Sequence, residues 1–359
     1  MTKTTQPDSR TVKALLQVFA VLFLAGLAIL IFAPNTHAAA PANADAAAKV
    51  QGNFAGADYW REVSDGTVGY TTSQGAEHGQ LINVEGERWR ELRNKWISPA
   101  GLYAIGGSLG LLTLVYLTLG CMKLDKPRTG RLILRWGLFD RAMHWFVAIT
   151  FLTLAFTGLN ILYGKHFIPE YFGYDIWKNL IALSKFLHNY IGPIFSIGLL
   201  VMIIRWFGNN FFNMTDLKWF IQGGGLIGNK HPSAEFLNGG EKGWYWALTI
   251  LGLVVVGSGL ILDFPLFGLT RNDMQTANLI HGGVSLLLVA ISLGHIYIGT
   301  IGSEGALEGM KTGYVDETWA KQHHDLWYAE VKDQAIDPVQ AGESDKADKP
   351  GHAEKAEQA

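Results

Sequence analysis

The distribution of apolar residues constrains this chain most, because it divides the 359 residues into hydrophobic blocks and polar connections. A run of about 20 predominantly apolar residues is long enough to cross the hydrocarbon core of a membrane as a helix. Aromatic side chains gather at the ends of the blocks, where Trp and Tyr favour the membrane–water interface. The sequence therefore predicts an all-α membrane protein with spans near 14–33, 100–121, 142–163, 186–204, 244–262 and 277–301.

The first block has the features of a targeting segment. It follows Arg10 and Lys13 and ends in the small residues of APNTHAAAPA. A basic start, an apolar run and a small-residue cleavage site are typical of a secretory signal peptide. We expect residues 1–40 to be a signal peptide cleaved near 38–40, with an uncleaved signal anchor as the alternative.

The segment after the first block, residues 41–98, is then external (periplasmic). It mixes aromatic residues, glycine and charge without clean periodicity. Two interpretations stay open, namely ordered loops that cover a partner subunit and a tethered linker. We expect His78 within it to be a surface residue.

Charge and alternation of the spans give the same topology. The connection 120–141 holds the densest cluster of Lys and Arg, which predicts a cytoplasmic location. Alternation from an external 41–98 segment, through an additional transmembrane helix at 99–122, places this connection on the cytoplasmic side. The 205–243 loop and the C-terminus follow on that side as well. Residues 332–359 lack an apolar face and are predicted to be disordered.

Composition excludes several function classes. The formal net charge of −2 gives no basic excess that would favour nucleic acid. The single cysteine, Cys121, excludes a disulfide framework, a C-x-x-C-H haem attachment and a self-contained iron–sulfur site. A redox centre held by this chain must use other ligands, and histidine is the obvious candidate.

Four histidines lie within the apolar blocks, where ionisable side chains are costly. His281 and His295 are 14 residues apart, which in a helix is close to four turns and about 21 Å along one face. His144 and His188 each lie near an end of another block. With the topology above, His188 matches His281 at the external side, and His144 matches His295 at the cytoplasmic side.

Two matched pairs predict two bis-histidine haems. Imidazole is a common axial ligand of haem iron, and ligation from both sides leaves no open position, so such a haem carries electrons. The alternatives are histidines hydrogen-bonded within the packing, or a metal or proton pathway. Gly192, Gly282 and Gly283 would admit a flat macrocycle, although ordinary packing of helices explains each of them equally well.

The motifs around these histidines resemble the gamma (cytochrome b) subunit of membrane-bound formate dehydrogenase, in its long form with an N-terminal extension. The resemblance covers about residues 131–331. It implies a four-helix transmembrane di-haem cytochrome b bundle at 123–331, plus one additional helix. The matching segments are RWGLFDRAMHWFVAITFLTLAFTG, FLHNYIGP, FLNGGEKGWYW, LIHGGVSLLLVAISLGHIYIG and GYVDETWAKQHHDLWY.

The resemblance also implies site residues. A quinone, either menaquinone or ubiquinone, would bind at Asn238, Gly240 and His295. The residues alone would favour a plain turn at Asn238–Gly240. Glu241 stands at a position where the resemblance implies glutamine in some relatives, which leaves its role in quinone protonation open. The implied axial ligands of two haem b groups, as iron-binding residues, are His144, His188, His281 and His295.

The implied function is that of a non-catalytic electron-transfer subunit of an oxidoreductase complex in the bacterial inner membrane. Electrons from a molybdenum or tungsten catalytic subunit would pass through an iron–sulfur subunit to the external haem, then to the cytoplasmic haem and quinone. The alternatives are the cytochrome b subunit of a nickel–iron hydrogenase or related quinone-linked oxidoreductase, a histidine-based metal transporter, and a purely structural anchor. His323 and His324 lie in a polar tail without other ligand spacing, and we expect no metal there.

Overall fold

The computed structural model describes residues 83–225, 231–265 and 268–339, together with Arg61 as a single position. Several sequence predictions fall outside these residues. They are the signal-like segment at 1–40, most of the 41–98 segment with His78, and the tail beyond residue 339.

The chain divides into two compact units. Of the described residues, those within 92–265 and 277–339 belong to the larger unit, which holds all four intramembrane histidines. Those within 83–91 and 268–276 belong to the smaller one. In the smaller unit Gly86 N donates to Asn83 Oδ1 at 2.8 Å, which caps the first described helix.

Helices account for nearly all of the described secondary structure. A π-helical stretch, Leu92–Ile97, joins the first two helices. Two three-residue strands, β1 (Leu132–Leu134) and β2 (Tyr314–Asp316), pair antiparallel. The helices are α1 (Val84–Glu91), α2 (Ser98–Leu119), α3 (Leu138–Tyr163), α4 (Ile168–Phe172), α5 (Tyr174–Trp206), α6 (Met214–Ile221), α7 (Gly239–Asp263), α8 (Arg271–Tyr297), α9 (Ala306–Thr312), α10 (Glu317–His323) and α11 (Asp325–Val331).

The predicted all-α membrane class is confirmed. Within the described residues five helical segments are long and apolar enough to cross a membrane. Many of their large apolar side chains are exposed, for example Leu117 and Phe156, as expected where lipid replaces water around the spans. The candidate spans are Glu85–Leu119, Leu138–His166, Tyr174–Asn209, Gly239–Asp263 and Arg271–Gly302.

The ends of the elements differ from the predicted ones. Helix α5 begins at Tyr174, twelve residues before the predicted block at 186–204. The segment 205–243, predicted as a loop, contains α6 and the first turn of α7. Hydropathy detects only the part of a helix that lies in lipid. Polar helical turns outside the bilayer, such as YDIWKN at the start of α5, are therefore not detected.

Glycines allow close approach of the spans. A Cβ at Gly198 in α5 would lie 2.5 Å from Cε1 of Phe146 in α3. A Cβ at Gly252 in α7 would lie 2.9 Å from Cδ2 of Leu199. Both distances are shorter than real Cβ contacts, so a larger residue at either position would have to displace the Phe146 ring or the Leu199 side chain. Glycine at these positions lets α3 and α7 pack closely on α5.

At one end of the bundle the chain forms a small hydrophobic core, which we call the tryptophan cluster. Ile133 and Val315 face each other across β1 and β2, and Trp319, Ala320 and Trp327 complete the buried group. The ends of α3 and α5 are joined nearby, since Asp140 accepts from Arg205 Nη2 at 3.1 Å and from Trp206 Nε1 at 2.9 Å.

Helix α6 is fixed to α7 by a buried ion pair. Lys242 Nζ lies 2.7 Å from Asp216 Oδ2, and both side chains are almost completely buried. Asn213 and Asp216 form a capping box at the start of α6. Helix α6 is therefore anchored on α7 rather than part of a free connection.

Candidate functional site

His188 and His281 lie on α5 and α8 and face each other within the bundle. Their ring centroids are 6.1 Å apart, with the ring planes nearly perpendicular. Both line one cavity of about 490 Å³. Apart from a few polar residues, the walls are apolar and include Phe151, Phe195 and Leu288.

The Nδ1 atoms of this pair are engaged by neighbouring helices. His281 Nδ1 lies 3.0 Å from the carbonyl oxygen of Val255. A carbonyl only accepts, so Nδ1 donates and Nε2 keeps its lone pair. His188 Nδ1 lies 2.8 Å from Thr157 Oγ1, and this hydroxyl donates to the Thr153 carbonyl at 2.8 Å. With its hydrogen so used, the hydroxyl accepts from His188, which gives the same tautomer.

Two glycines leave room for these imidazoles. A Cβ at Gly158 would lie 3.2 Å from His188 Cε1, and a Cβ at Gly259 would lie 2.9 Å from His281 Cε1. The glycines implicated by sequence behave differently. A Cβ at Gly192 or Gly282 would meet no atom within 4 Å, although both residues line the cavity. Sequence reasoning did not single out Gly158 and Gly259. Each directly follows a hydroxyl residue, Thr157 or Ser258, whose oxygen lies 2.8 or 3.4 Å from the Nδ1 of the histidine concerned.

His144 and His295 form a second pair, on α3 and α8. Their ring centroids are 6.2 Å apart. His295 stacks on Trp244, with centroids 4.7 Å apart and planes 11° from parallel. His144 Nδ1 is buried and has no hydrogen-bond partner among the described residues. This pair is thus oriented by packing, whereas the other is oriented by hydrogen bonds.

Both pairs fit haem iron. Two imidazoles that bind one metal ion from opposite sides have ring centres about 6.2 Å apart, since each metal–nitrogen bond is about 2.0 Å and each ring centre lies about 1.1 Å behind its nitrogen. The observed separations are 6.1 and 6.2 Å. Neutral imidazole is a common axial ligand, and the apolar cavity beside His188 and His281 suits a macrocycle.

The Asn238–Gly240 turn forms the start of α7. Asn238 Oδ1 accepts from Glu241 N at 2.9 Å, and Asn238 N donates to Glu241 Oε2 at 2.9 Å, which makes a capping box. A Cβ at Gly240 would lie 2.9 Å from Cη2 of Trp219, so α6 covers the turn closely. The structure thus gives these residues a capping role, and binding of quinone there stays a prediction.

Glu241, which is partly exposed, also belongs to a polar network with buried partners that the sequence did not reveal. Arg135 Nη2 donates to Glu241 Oε1 and to the Phe236 carbonyl, both at 2.9 Å. The guanidinium also lies against the ring of Trp319, at 4.8 Å from its centroid. The carboxylate is therefore held in an ion pair next to the tryptophan cluster.

His324 completes this network. Its Nδ1 donates to the Glu235 carbonyl at 2.7 Å, and its Nε2 accepts from Arg135 Nη2 at 3.1 Å. Burial, followed by the Arg135 charge, lowers the pKa of His324 to about 3. For His323, burial followed by the nearby His231 lowers the pKa to about 4. Both imidazoles are neutral at pH 7, and His324 acts as a structural hydrogen-bonding group.

Comparison with known proteins places this geometry in a family. The model of the prokaryotic cytochrome b561 family matches residues 135–313. The cytochrome b556(Fdn) subunit of the nitrate-inducible formate dehydrogenase of Escherichia coli is 27% identical over 208 residues, which cover 56% of this chain and 93% of that protein. A second Escherichia coli relative, the cytochrome b556(fdo) subunit of formate dehydrogenase, is 26% identical over 204 residues, with the same coverage.

A relative from Haemophilus influenzae, the cytochrome b556 subunit of formate dehydrogenase, is 25% identical over 198 residues. These cover 53% of this chain and 79% of that protein. The region that matches the family model, residues 135–313, contains both histidine pairs and the helices that carry them. The resemblance drawn from the sequence motifs is confirmed. Through residues 135–313 the chain belongs to the prokaryotic cytochrome b561 family.

Proposed function

We propose that this chain is the haem b-carrying membrane subunit of a formate dehydrogenase complex, which anchors the complex and passes electrons to quinone. The observation that carries the proposal is the spacing of the two histidine pairs. In each pair the ring centroids are separated as in a bis-imidazole metal site, and both pairs lie in the region that matches the cytochrome b561 family. The relatives, which are all cytochrome subunits of formate dehydrogenases, support formate as the source of electrons.

Two haem b groups would be held, one by His188 with His281 and one by His144 with His295. When bound, each supplies one-electron transfer without an open coordination position for substrate. The chain supplies orientation and exclusion of water. Thr157 and the Val255 carbonyl fix the tautomers of the first pair, and Trp244 holds the ring plane of His295.

The positions of the pairs suit electron transfer across a membrane. His281 and His295 lie on the same helix, about 21 Å apart along its axis by the rise of 1.5 Å per residue. That distance covers most of the hydrocarbon core of a bilayer, which is about 30 Å thick. The two sites therefore lie toward opposite faces of the membrane.

The Lys and Arg cluster at 120–141 supports a bacterial inner-membrane orientation with the His144–His295 pair at the cytoplasmic face. A catalytic subunit and an iron–sulfur subunit would then dock outside, near His188 and His281. Quinone would bind near Asn238, Gly240 and His295. Reduction at that face would take protons from the cytoplasm and contribute to a proton gradient.

The reduced-minus-oxidised visible spectrum of the purified chain, with a haem-to-protein ratio, tests the proposal. We expect two low-spin b haems in the unmodified chain and about one in each of His188→Ala and His144→Ala. His166→Ala is the matched control, since His166 lies in the turn after α3, outside both pairs. A spectrum without haem would overturn the proposal. Reduction by hydrogen but not formate in the assembled complex would overturn only the choice of donor.

A further inference from the structure

Charged residues line the His188–His281 cavity, although most of its walls are apolar. Two cationic residues, Arg93 and Lys185, and one carboxylate, Asp263, line the cavity. The amides Asn189 and Asn278 line it as well. The described lining thus has an excess of one positive charge.

These polar residues belong to one end of the bundle. Lys185 precedes His188, and Asn278 precedes His281, by one helical turn each. Asp263 is the last residue of α7, one turn after Gly259, whose backbone lies next to His281. Arg93 lies in the π-helical stretch just before α2. Together they form a polar mouth beyond the imidazoles.

Close packing holds the Arg93 segment at this mouth. Tyr163 Oη, at the end of α3, donates to the Ser98 carbonyl at 2.6 Å. Gly101 of α2 packs against the side chain of Leu286, leaving no space for a Cβ. Ile97 lines the cavity beside Arg93. The segment 93–101 is therefore docked on α3 and α8 within the larger unit.

The carboxylates of haem b are groups that the cations at this mouth could bind. The macrocycle carries two carboxylates, and an ionised carboxylate at an apolar cavity is costly unless it is paired. Arg binds carboxylates through two parallel hydrogen bonds, whereas Lys acts as a compact point charge. A haem site therefore needs cations near the edge of the macrocycle that carries the carboxylates. The cavity has two cations, Arg93 and Lys185, at one end.

We propose that Arg93, together with Lys185, binds the carboxylates of the haem held by His188 and His281. The additional helix would then complete a cofactor site as well as cross the membrane. Residue 93 lies outside the region 135–313 that matches the family, whereas Lys185 lies within it. The contribution of Arg93 therefore belongs to the N-terminal extension. The inference rests on the proposed function, because it concerns the same haem.

The test uses the full-length chain and four variants, Arg93→Gln, Arg93→Lys, Lys185→Gln and Lys95→Gln. Lys95 is the matched control, because it is an exposed cation two residues away that does not line the cavity. Three quantities are measured, namely the haem-to-protein ratio after extended detergent washing, the midpoint potential of each haem, and the thermal unfolding temperature. Lys185→Gln provides an independent variant at the same mouth.

We expect Arg93→Gln to lower one midpoint potential and leave the other unchanged, because loss of a cation disfavours the added electron. The washed variant should retain clearly fewer than two haems, on the order of one, while Arg93→Lys retains more and Lys95→Gln matches the unmodified chain. Lys185→Gln should lower the same potential.

Two results would overturn this inference. The first is an Arg93→Gln protein with two retained haems and both potentials unmoved. The second is an equal loss of both haems with a lower unfolding temperature, which would give Arg93 a structural role alone. Absence of haem from the unmodified chain would instead defeat the proposed function, so the two failures are distinguishable.

Discussion

At the scale of single residues, the two histidine pairs have similar spacing and different surroundings. His188 and His281 each donate Nδ1–H to an oxygen of a neighbouring helix. His144 Nδ1 is buried without a partner in the described part of the chain, and His295 is stacked on Trp244. A hydrogen bond to the outer nitrogen makes an imidazole a more basic ligand, so the two sites should differ in reduction potential.

The hydroxyl of Thr157 should tune one of these sites. Thr157→Val keeps the shape and removes the acceptor for His188, so the ligand becomes less basic and the ferric state less favoured. We expect a higher midpoint potential for one haem and a loss of affinity on the order of tenfold. Potentiometric titration with haem quantification measures both, and Thr157→Ser is the control that keeps the hydroxyl. Equal potentials in the two variants would contradict the expectation.

Gly259 should be required for the same site. A Cβ there would lie 2.9 Å from His281 Cε1, so Gly259→Ala must displace the imidazole. We expect the haem-to-protein ratio to fall from two to about one. Gly257→Ala is a matched control on the same helix, because a Cβ at Gly257 meets no atom within 4 Å. A full complement of haem in Gly259→Ala would show that the site relaxes around the added methyl group.

At the scale of elements, α6 and the tryptophan cluster are fastened by buried charged groups. The Lys242–Asp216 pair fixes α6 to the start of α7, while Arg135 joins Glu241, His324 and Trp319. The surroundings of Asn238 and Gly240 thus contain one fully buried charge pair, Lys242–Asp216, and one pair, Arg135–Glu241, whose carboxylate is partly exposed.

Removal of Lys242 should destabilise this end of the bundle. Lys242→Met leaves Asp216 buried without its cation, which we expect to cost about 3–5 kcal/mol. The exposed pair between Arg128 and Glu308 is the contrast, because both side chains are more than a third exposed and Arg128→Met should cost less than about 1 kcal/mol. Thermal unfolding in detergent compares the two variants. A similar loss of stability in Lys242→Met and Arg128→Met would show that burial of the Lys242–Asp216 pair does not matter for stability.

His324 should make unfolding depend on pH. Its pKa is lowered to about 3 in the folded chain, against about 6.5 in an unfolded one. Unfolding therefore takes up a proton between these values, so its contribution to stability is full above pH 6.5 and declines as the pH falls toward 3. In His324→Gln unfolding should take up about one proton fewer between pH 3 and 6.5, so the unfolding free energy should vary less steeply with pH in that range. An unchanged slope would show that His324 is protonated when folded.

At the scale of the whole molecule, the sequence predicts the bundle better than its connections. The apolar blocks locate the described spans because lipid contact imposes a long hydrophobic run on each helix. The relation between His281 and His295 follows from helical periodicity alone. Helix α6, the strands β1 and β2, and the roles of Arg135, Thr157 and Arg93 depend on contacts between distant segments, which no local pattern encodes.

The orientation of the chain can be checked with its single cysteine. Cys121 follows α2 and begins the connection rich in Lys and Arg, so we expect it at the cytoplasmic face. A membrane-impermeant maleimide should label it in inverted vesicles and not in intact spheroplasts. Lys165→Cys in a Cys121→Ser background, at the exposed turn after α3, should give the opposite result. Labelling of Cys121 in spheroplasts would reverse the topology.

One helix, α8, carries a histidine of each pair, while the other two histidines lie on α3 and α5. Because a chain is synthesised from its N-terminus, neither pair of histidines is complete until α8 has left the ribosome. With haem at these pairs, as proposed, cofactor insertion would follow translation of α8. A chain truncated before residue 281 should then bind no haem at either position, so incorporation of haem would report that α8 has joined the bundle.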